Sequence, residues 1–176
     1  MGKICVLRLG HRLRRDPRIT THVFLVARAL GATEAVLCGD DDPPVLQGVM
    51  KVADLWGGSF KVRYEKSWKS FLLGRKREGW KVVHLTMYGE SFEEKIGKVK
   101  KENVVVVVGA GKVPGEVYRI SDYNLAVTNQ PHSEIGALCL FLDRYFGGKQ
   151  LRKKFDGKLK IVPNKCGKVV QHVRND

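Results

Sequence analysis

The sequence predicts an α/β fold with a mostly parallel sheet flanked by helices. Apolar runs of strand length alternate with amphipathic helical segments along most of the 176 residues. Residues 104–108 are five consecutive valines, a composition typical of a strand buried on both faces. Asp-Pro pairs at positions 16–17 and 42–43 indicate helix starts, because Asp caps an N-terminus and Pro fits the first helical position. This repeated order is typical of helices layered on both faces of a parallel sheet.

The first half of the chain contains three strand–helix units. Residues 4–9 form an apolar run, and the helix after it carries apolar residues at helical spacing from Ile19 to Leu30 and ends at Gly31. Residues 35–38 predict the second strand, and Val45, Val49, Val52, Ala53 and Trp56 supply the apolar face of the helix after Asp42. Residues 60–64 alternate like a strand, and Ser67 is predicted to cap a short helix over residues 68–73.

The second half continues the pattern and then changes. Residues 82–87 predict strand four, and Ser91 and Glu94 fit a capping box before a Lys-rich helix that reaches about Glu102. The valine strand, a strand over residues 123–127 and an apolar helix over residues 135–146 follow. Residues 158–162 and 168–173 alternate around a Pro- and Gly-containing turn, which predicts a β-hairpin. We therefore divide the chain into a domain of residues 1–150 and a basic hairpin extension of residues 151–176.

The net charge of +14 favours an anionic partner. Nucleic acid is the leading candidate, because Lys and Arg that neutralise phosphates release counterions. An acidic membrane surface and a highly charged thermophilic surface are the alternatives. No apolar run approaches the roughly 20 residues of a membrane span, and the apolar stretch before Arg8 is too short for a signal peptide. These features predict a cytoplasmic protein without a membrane partner.

The cysteines and histidines predict no metal site. None of the cysteines forms a Cys-x-x-Cys pair or lies at metal-ligand spacing from a histidine. We expect reduced thiols at Cys5, Cys38, Cys139 and Cys166.

The positive charge is clustered in two segments. Residues 149–176 contain nine Lys or Arg and two Asp, a net charge of +7. The second cluster lies at the end of the first strand and in the loop after it, where ligands bind in open α/β sheets, and arginine suits bidentate contacts with phosphate. It consists of Arg8, Arg12, Arg14, Arg15 and Arg18.

Three later segments follow predicted strand ends: residues 85–89, 109–115 and 129–134. The glycine loop reads G-x-G-x-x-x-G, so it matches neither the dinucleotide-binding fingerprint nor a P-loop. This spacing counts against a nicotinamide oxidoreductase. Residues 129–134 form a polar loop before an apolar helix, with Ser133 as a possible N-cap, and backbone N–H groups there are able to receive a ligand.

These segments resemble the archaeal tRNA (cytidine-56) 2'-O-ribose methyltransferases. The similarity begins with Arg8-Leu-Gly-His-Arg12, continues through residues 15–23 and 27–32, and then through His84-Leu-Thr-Met-Tyr-Gly89. It extends through Lys112-Val-Pro, Glu116-Val-Tyr118 and Asn129-Gln-Pro-His-Ser-Glu134 to residues 141–144, 151–153 and 158–163. Most of the chain is covered.

The resemblance implies a SPOUT fold with a C-terminal deep trefoil knot, a homodimer and a C-terminal β-hairpin. It implies S-adenosylmethionine as cofactor and tRNA as substrate. The family usually has Glu where this chain has Gly111, so a side-chain carboxylate is missing there. The implied cofactor-binding residues are Leu85, Gly109, Ala110, Gly111, Lys112, Val113, Val127, Thr128, Asn129, Gln130, Pro131, His132, Ser133 and Glu134.

The resemblance also implies roles for arginines. Arg28 is at the position similar to the essential arginine of related ribose methyltransferases, and would stabilise the developing alkoxide. Arg8, Arg12, Arg15 and Arg18 would bind the tRNA backbone, and the hairpin lysines would extend that contact. The base is left open between His22, His132 and a substrate phosphate, although the apolar neighbours of His22 favour a packed side chain.

Two other functions remain open on the sequence. A SPOUT methyltransferase that modifies another RNA nucleotide would share the cofactor loops. A non-catalytic basic RNA-binding protein would explain the charge without needing three loops at strand ends.

Overall fold

The computed structural model describes residues 2–173, which form a six-stranded parallel sheet and a separate two-stranded antiparallel hairpin. The order in the large sheet is β3-β2-β1-β5-β4-β6. The strands are β1 (Ile4–His11), β2 (Glu34–Gly39), β3 (Lys61–Tyr64), β4 (Lys81–Ser91), β5 (Val104–Gly109), β6 (Tyr123–Ala126), β7 (Leu159–Val162) and β8 (Val169–His172). Every pairing among β1–β6 is parallel, which confirms the predicted sheet.

Helices cover both faces of the sheet, as predicted. The helices are α1 (Pro17–Ala29), α2 (Pro43–Trp56), α3 (Trp68–Arg77), α4 (Phe92–Val99), α5 (Gly115–Ile120) and α6 (Glu134–Phe146), followed by a 3-10 turn at Lys149–Arg152. Alternate valines of β5 belong to two different apolar cores. The first core packs under α1, α2, α4 and α6, and the second packs under α3 and α5.

Three of the predicted helix caps are confirmed. The side chains of Asp42, Ser67 and Ser133 accept hydrogen bonds from the backbone N–H groups of Val45, Ser70 and Ile135. Each cap satisfies an N–H group that has no partner inside the helix.

Two predicted caps are wrong. Asp16 precedes α1, but its carboxylate makes no capping bond and binds Arg12 instead. Ser91 precedes α4 without a side-chain capping bond. The starts of the two helices nevertheless agree with the sequence.

The predicted packing of His22 is also wrong, because this residue is exposed on α1. The predicted hairpin is confirmed: β7 and β8 pair antiparallel, from Leu159 opposite His172 to Val162 opposite Val169. Most of its side chains are exposed, so the hairpin adds little to the core.

Candidate active site at the carboxyl edge of the sheet

Four adjacent parallel strands, β1, β5, β4 and β6, end at the same edge of the sheet. The loops after β1, β5 and β6, which include residues 109–113 and 127–134, therefore meet there. The predicted segment 85–89 does not follow β4 but is part of it, since the strand reaches Ser91 and α4 begins at Phe92. This carboxyl edge is the usual ligand-binding position in open α/β sheets.

Asn129 joins the loop after β6 to the end of β4. Its Nδ2 donates to the carbonyl oxygens of Met87, at 2.7 Å, and Gly89, at 3.3 Å. A β-carbon at position 89 would overlap the backbone carbonyl of Asn124, so glycine permits this close approach. Asn129 thus has a structural contact in addition to its predicted cofactor role.

Arg8 lies beneath the loops and holds them together. Its side chain is fully buried, with Nη1 donating to the Gly109 carbonyl at 2.9 Å and Nη2 to Glu134 Oε1 at 3.1 Å. Burial lowers the pKa of Arg8, and the Glu134 carboxylate opposes that shift. The Glu134 carboxylate is thus the ion-pair partner of a buried guanidinium.

The buried position of Arg8 contradicts its predicted contact with tRNA. Its Nε also donates to Thr20 Oγ1 at 3.3 Å, so all three guanidinium nitrogens bind protein atoms. Arg8 is a positioning residue that links β1, the glycine loop and the start of α6.

His11 extends this buried network and was not singled out by the sequence. Its Nδ1 lies 2.8 Å from Thr20 Oγ1, and its Nε2 lies 3.0 Å from Asp42 Oδ2. Asp42 uses its other oxygen to cap α2 through Val45. The sequence pointed to His11 only through its position inside the motif Arg8–Arg12. That motif does not indicate hydrogen bonds to Thr20 or Asp42.

Arg12 fixes the loop between β1 and α1. Its Nε donates to Asp16 Oδ2 at 2.8 Å, and its Nη2 donates to the Ala110 carbonyl at 3.0 Å. The hydrogen bonds from Arg12 lower the pKa of Asp16. The Arg12 side chain is still 43% exposed, so a ligand at the edge is able to reach it.

Arg15 and Arg18 meet the requirement for a contact with RNA phosphate. Both are exposed beside the carboxyl edge. Within residues 2–173, neither side chain takes part in a hydrogen bond or ion pair. Their charges are therefore available to an external anion.

The predicted cofactor loops combine apolar walls with free polar groups. Leu85, Val113 and Val127 are half-buried and pack against the cores. The backbone N–H groups of Asn129, Gln130 and His132 donate to no other residue in the described part of the chain. Such a surface suits an elongated ligand with an apolar ring and hydrogen-bonding ends.

Comparison with known proteins identifies the family to which this chain belongs. Residues 56–171 match the model of the family described as tRNA ribose 2'-O-methyltransferase, aTrm56. The chain belongs to this family.

Curated relatives agree over nearly the whole length of the methyltransferase. The tRNA (cytidine(56)-2'-O)-methyltransferase of Methanothrix thermoacetophila is 53% identical over 169 residues, which are 96% of this chain and 97% of the relative. The protein of the same name from Methanopyrus kandleri is 49% identical over 170 residues, 96% of each chain.

Solved structures support the fold of the methyltransferase. A TrmH/SpoU tRNA modifying enzyme from A. aeolicus superposes with a TM-score of 0.61 at 15% identity, over 86% of this chain and 78% of that one. The SpoU methyltransferase AviRb from Streptomyces viridochromogenes, solved in complex with the cofactor AdoMet, gives a TM-score of 0.62 at 13% identity, over 84% and 58% of the two chains.

The position of Arg28 contradicts its predicted catalytic role within one chain of the methyltransferase. Arg28 is in the last turn of α1, about 15 Å along the helix axis from Arg18. It therefore lies at the amino edge of the sheet, where Nη2 donates to the Gly57 carbonyl at 2.6 Å and the guanidinium lies over Phe155. The predicted cofactor loops are at the opposite edge.

The described part of the methyltransferase contains no cluster of three or more side chains able to hold a metal ion. All four cysteines are unpaired, with Cys5 and Cys38 buried. None of the helices between residues 2 and 173 has the length and apolar character needed to cross a membrane.

Proposed function

We propose that the carboxyl edge is the active site of this tRNA ribose 2'-O-methyltransferase and that its target is the 2'-hydroxyl of cytidine 56. S-adenosylmethionine is the methyl donor. One observation carries the proposal: about half of the residues are identical, over almost the full length, to enzymes named for this reaction.

The residues at the edge fit S-adenosylmethionine. Leu85, Val113 and Val127 would form apolar walls for the adenine ring. The free N–H groups of Asn129, Gln130 and His132 would receive its ring nitrogens or the carboxylate. The other predicted contacts, at Gly109, Ala110, Gly111 and Lys112 and at Thr128, Pro131, Ser133 and Glu134, are on the same two loops.

The chain must position and activate a weakly acidic hydroxyl. When bound, S-adenosylmethionine supplies an electrophilic methyl group and a neutral thioether leaving group. Arg15 and Arg18 would hold the RNA phosphates, which places the ribose hydroxyl in line with that methyl group. Arg12, fixed beside the Ala110 carbonyl, would stabilise the negative charge that develops on the oxygen.

His132 is the better placed of the two histidines predicted as a base. Its Nδ1 donates to the Ser133 carbonyl at 3.1 Å, so the neutral ring carries a free lone pair on Nε2. His132 is exposed on the loop after β6, whereas His22 lies on α1 outside the loops.

Other features implied by the family resemblance belong to the same proposal. Residues 1–150 would form the catalytic domain with a trefoil knot, and residues 151–176 would form the hairpin extension. The unpaired cysteines fit a reducing compartment such as the cytoplasm.

The outer faces of α1 and α6 support a homodimer. Ile19 on α1 is 38% exposed and Leu140 on α6 is 51% exposed, next to exposed Gly136 and Cys139. Wild-type protein should have twice the 19.8 kDa mass of the chain in light scattering, and Leu140→Glu should be monomeric. Met50→Glu, at a residue 42% exposed on α2, is the control, and a monomeric wild type would contradict the dimer.

The target nucleotide is tested by methyl transfer to an unmodified tRNA transcript. Labelled S-adenosylmethionine should transfer one methyl group, and nuclease mapping should place it on the ribose of cytidine 56. A label on a base or on another nucleotide would assign the same site to a different RNA modification.

A further inference from the structure

A groove of about 1110 Å³ lies between the ends of α1 and α2 and the C-terminal hairpin. It is at the amino edge of the sheet, away from the cofactor loops. Its lining combines aromatic and cationic side chains, namely Arg28, Trp56, Lys154, Phe155, Lys158 and Lys160.

Arg28 is a buried cation without a compensating anion. The residue is 8% exposed, and it forms no ion pair with any residue between positions 2 and 173. Its one hydrogen bond goes to the neutral Gly57 carbonyl, and its Nε has no partner in the described structure. Burial accordingly lowers the pKa of Arg28.

The other buried arginine shows how this chain satisfies such a charge. Arg8 has three acceptors, including the Glu134 carboxylate. A buried guanidinium that lacks a carboxylate loses hydration without regaining an ion pair. Arg28 therefore has the capacity to bind an anion that is not part of its own chain.

The walls of the groove are held in place by close backbone contact. A β-carbon at Gly157 would overlap the backbone at Trp56, and one at Gly57, where φ is +81°, would overlap the backbone of Asp156. These two glycines allow residues 155–157 to lie directly against the end of α2. The backbone at Trp56 and at Phe155 is consequently held in place on the wall.

The charged residues of the lining have an excess of cations, which favours a polyanion. Lys154, Lys158 and Lys160 are exposed beside Arg28, while Asp54 and Asp156 also line the groove. The three lysines and Arg28 outnumber the two carboxylates, so the groove would attract a phosphate group. Phe155 already lies against Arg28 and Lys153, which leaves Trp56 as the stacking surface for a base.

We propose that this groove is a second tRNA-binding site, which takes a backbone phosphate on Arg28 and its neighbouring lysines and an unstacked base on Trp56. The proposal rests on the proposed function, since it assigns a further contact to the same substrate. Base stacking on aromatic rings and phosphate contacts with cations are the usual elements of single-stranded RNA recognition.

The test compares two charge-matched pairs of exposed hairpin lysines. Lys154→Ala/Lys158→Ala removes two charges from the groove, and Lys165→Ala/Lys168→Ala removes two from the turn between β7 and β8. Affinity for an unmodified tRNA transcript is measured by fluorescence anisotropy at several salt concentrations. The groove pair should weaken binding about tenfold and reduce the salt slope by about 2, and the turn pair should do neither.

A third variant tests stacking without changing the charge. Trp56→Leu should weaken tRNA binding by roughly tenfold, with a melting temperature that shows the protein is folded. In all variants the affinity for S-adenosylmethionine, measured by calorimetry, should equal that of the wild type.

Equal effects of the two lysine pairs, or wild-type tRNA affinity of Trp56→Leu, would overturn the proposal. The wild-type protein separates this result from failure of the proposed function. If the wild type methylates the transcript while the groove pair binds like the turn pair, the groove proposal alone is wrong. If the wild type neither binds nor methylates tRNA, the proposed function is wrong.

Discussion

Arg8 and Arg28 are both buried arginines, but their surroundings differ. Arg8 has a carboxylate and two neutral oxygen acceptors, whereas Arg28 has one backbone carbonyl and the Phe155 ring. The first is satisfied within the chain and organises the active-site loops. The second has unused binding capacity, which is why we assign it to a substrate contact instead of to catalysis.

His84 is a buried residue whose protonation state should affect stability. Its Nδ1 lies 3.0 Å from Asn124 Oδ1, and Asn124 Nδ2 donates to the Tyr118 carbonyl. This orientation of the amide makes Nδ1 of His84 the donor. Burial lowers the pKa of His84, so the folded state favours the neutral ring.

We predict that His84 destabilises the protein in acid. The contribution of neutral His84 to the free energy of unfolding is complete above the pKa of an unfolded histidine, about 6.5. It is lost as the pH falls below that value and through the lower pKa of the folded state, because protons then bind the unfolded state more readily. Each unit of pKa difference corresponds to about 1.4 kcal/mol. Urea unfolding between pH 7 and pH 5 should show a steeper loss for the wild type than for His84→Gln, and parallel curves would contradict the prediction.

At the scale of elements, the loop between β1 and α1 contains both buried structural contacts and exposed arginines. Arg12 is fixed by Asp16 and by the Ala110 carbonyl, while Arg15 and Arg18 project into solvent. Arg12 therefore holds the loop in place, whereas Arg15 and Arg18 are free to contact an external anion.

Arg15→Ala/Arg18→Ala should weaken tRNA binding about tenfold and reduce the salt slope by about 2. S-adenosylmethionine affinity should not change, because neither residue is on the cofactor loops. Lys51→Ala/Lys98→Ala removes the same charge from exposed faces of α2 and α4 and serves as the control. The tRNA affinity of both double variants is measured by filter binding. Equal losses in both double variants would mean that net charge, and not this loop, binds tRNA.

Elements with a strong repeating pattern could be predicted from the sequence. The five valines of β5 and the Asp42–Val45 cap follow from local chemistry, and both are found. Helix α5 was missed because its six residues are too few to show helical periodicity. The Asp16 capping bond does not form because the charged Arg12 side chain donates to the carboxylate instead.

Side-chain positions in the site were less predictable than its loops. Parallel strand ends bring residues 109–113 and 127–134 together in any such sheet. In contrast, the burial of Arg8 depends on which face of β1 it occupies, and the place of Arg28 depends on the length of α1. Neither could be read from clustering of charge or from family resemblance.

At the scale of the whole molecule, the two edges of the sheet carry different surface features. The carboxyl edge carries the cofactor loops and the exposed Arg15 and Arg18, and the amino edge carries the groove against the hairpin. In our proposal, the basic hairpin extends the RNA-binding surface beyond the active site. In our proposal, positive charges on both edges, which are part of the net charge of +14, bind the same tRNA.

The central claim is that the chain methylates the 2'-oxygen of cytidine 56. The most direct measurement compares two tRNAs that differ in one atom, one with cytidine and one with 2'-deoxycytidine at this position, under single-turnover conditions with labelled S-adenosylmethionine. We predict stoichiometric label on the first tRNA and none on the second, with similar binding of both. Equal labelling of the two tRNAs would contradict the claim.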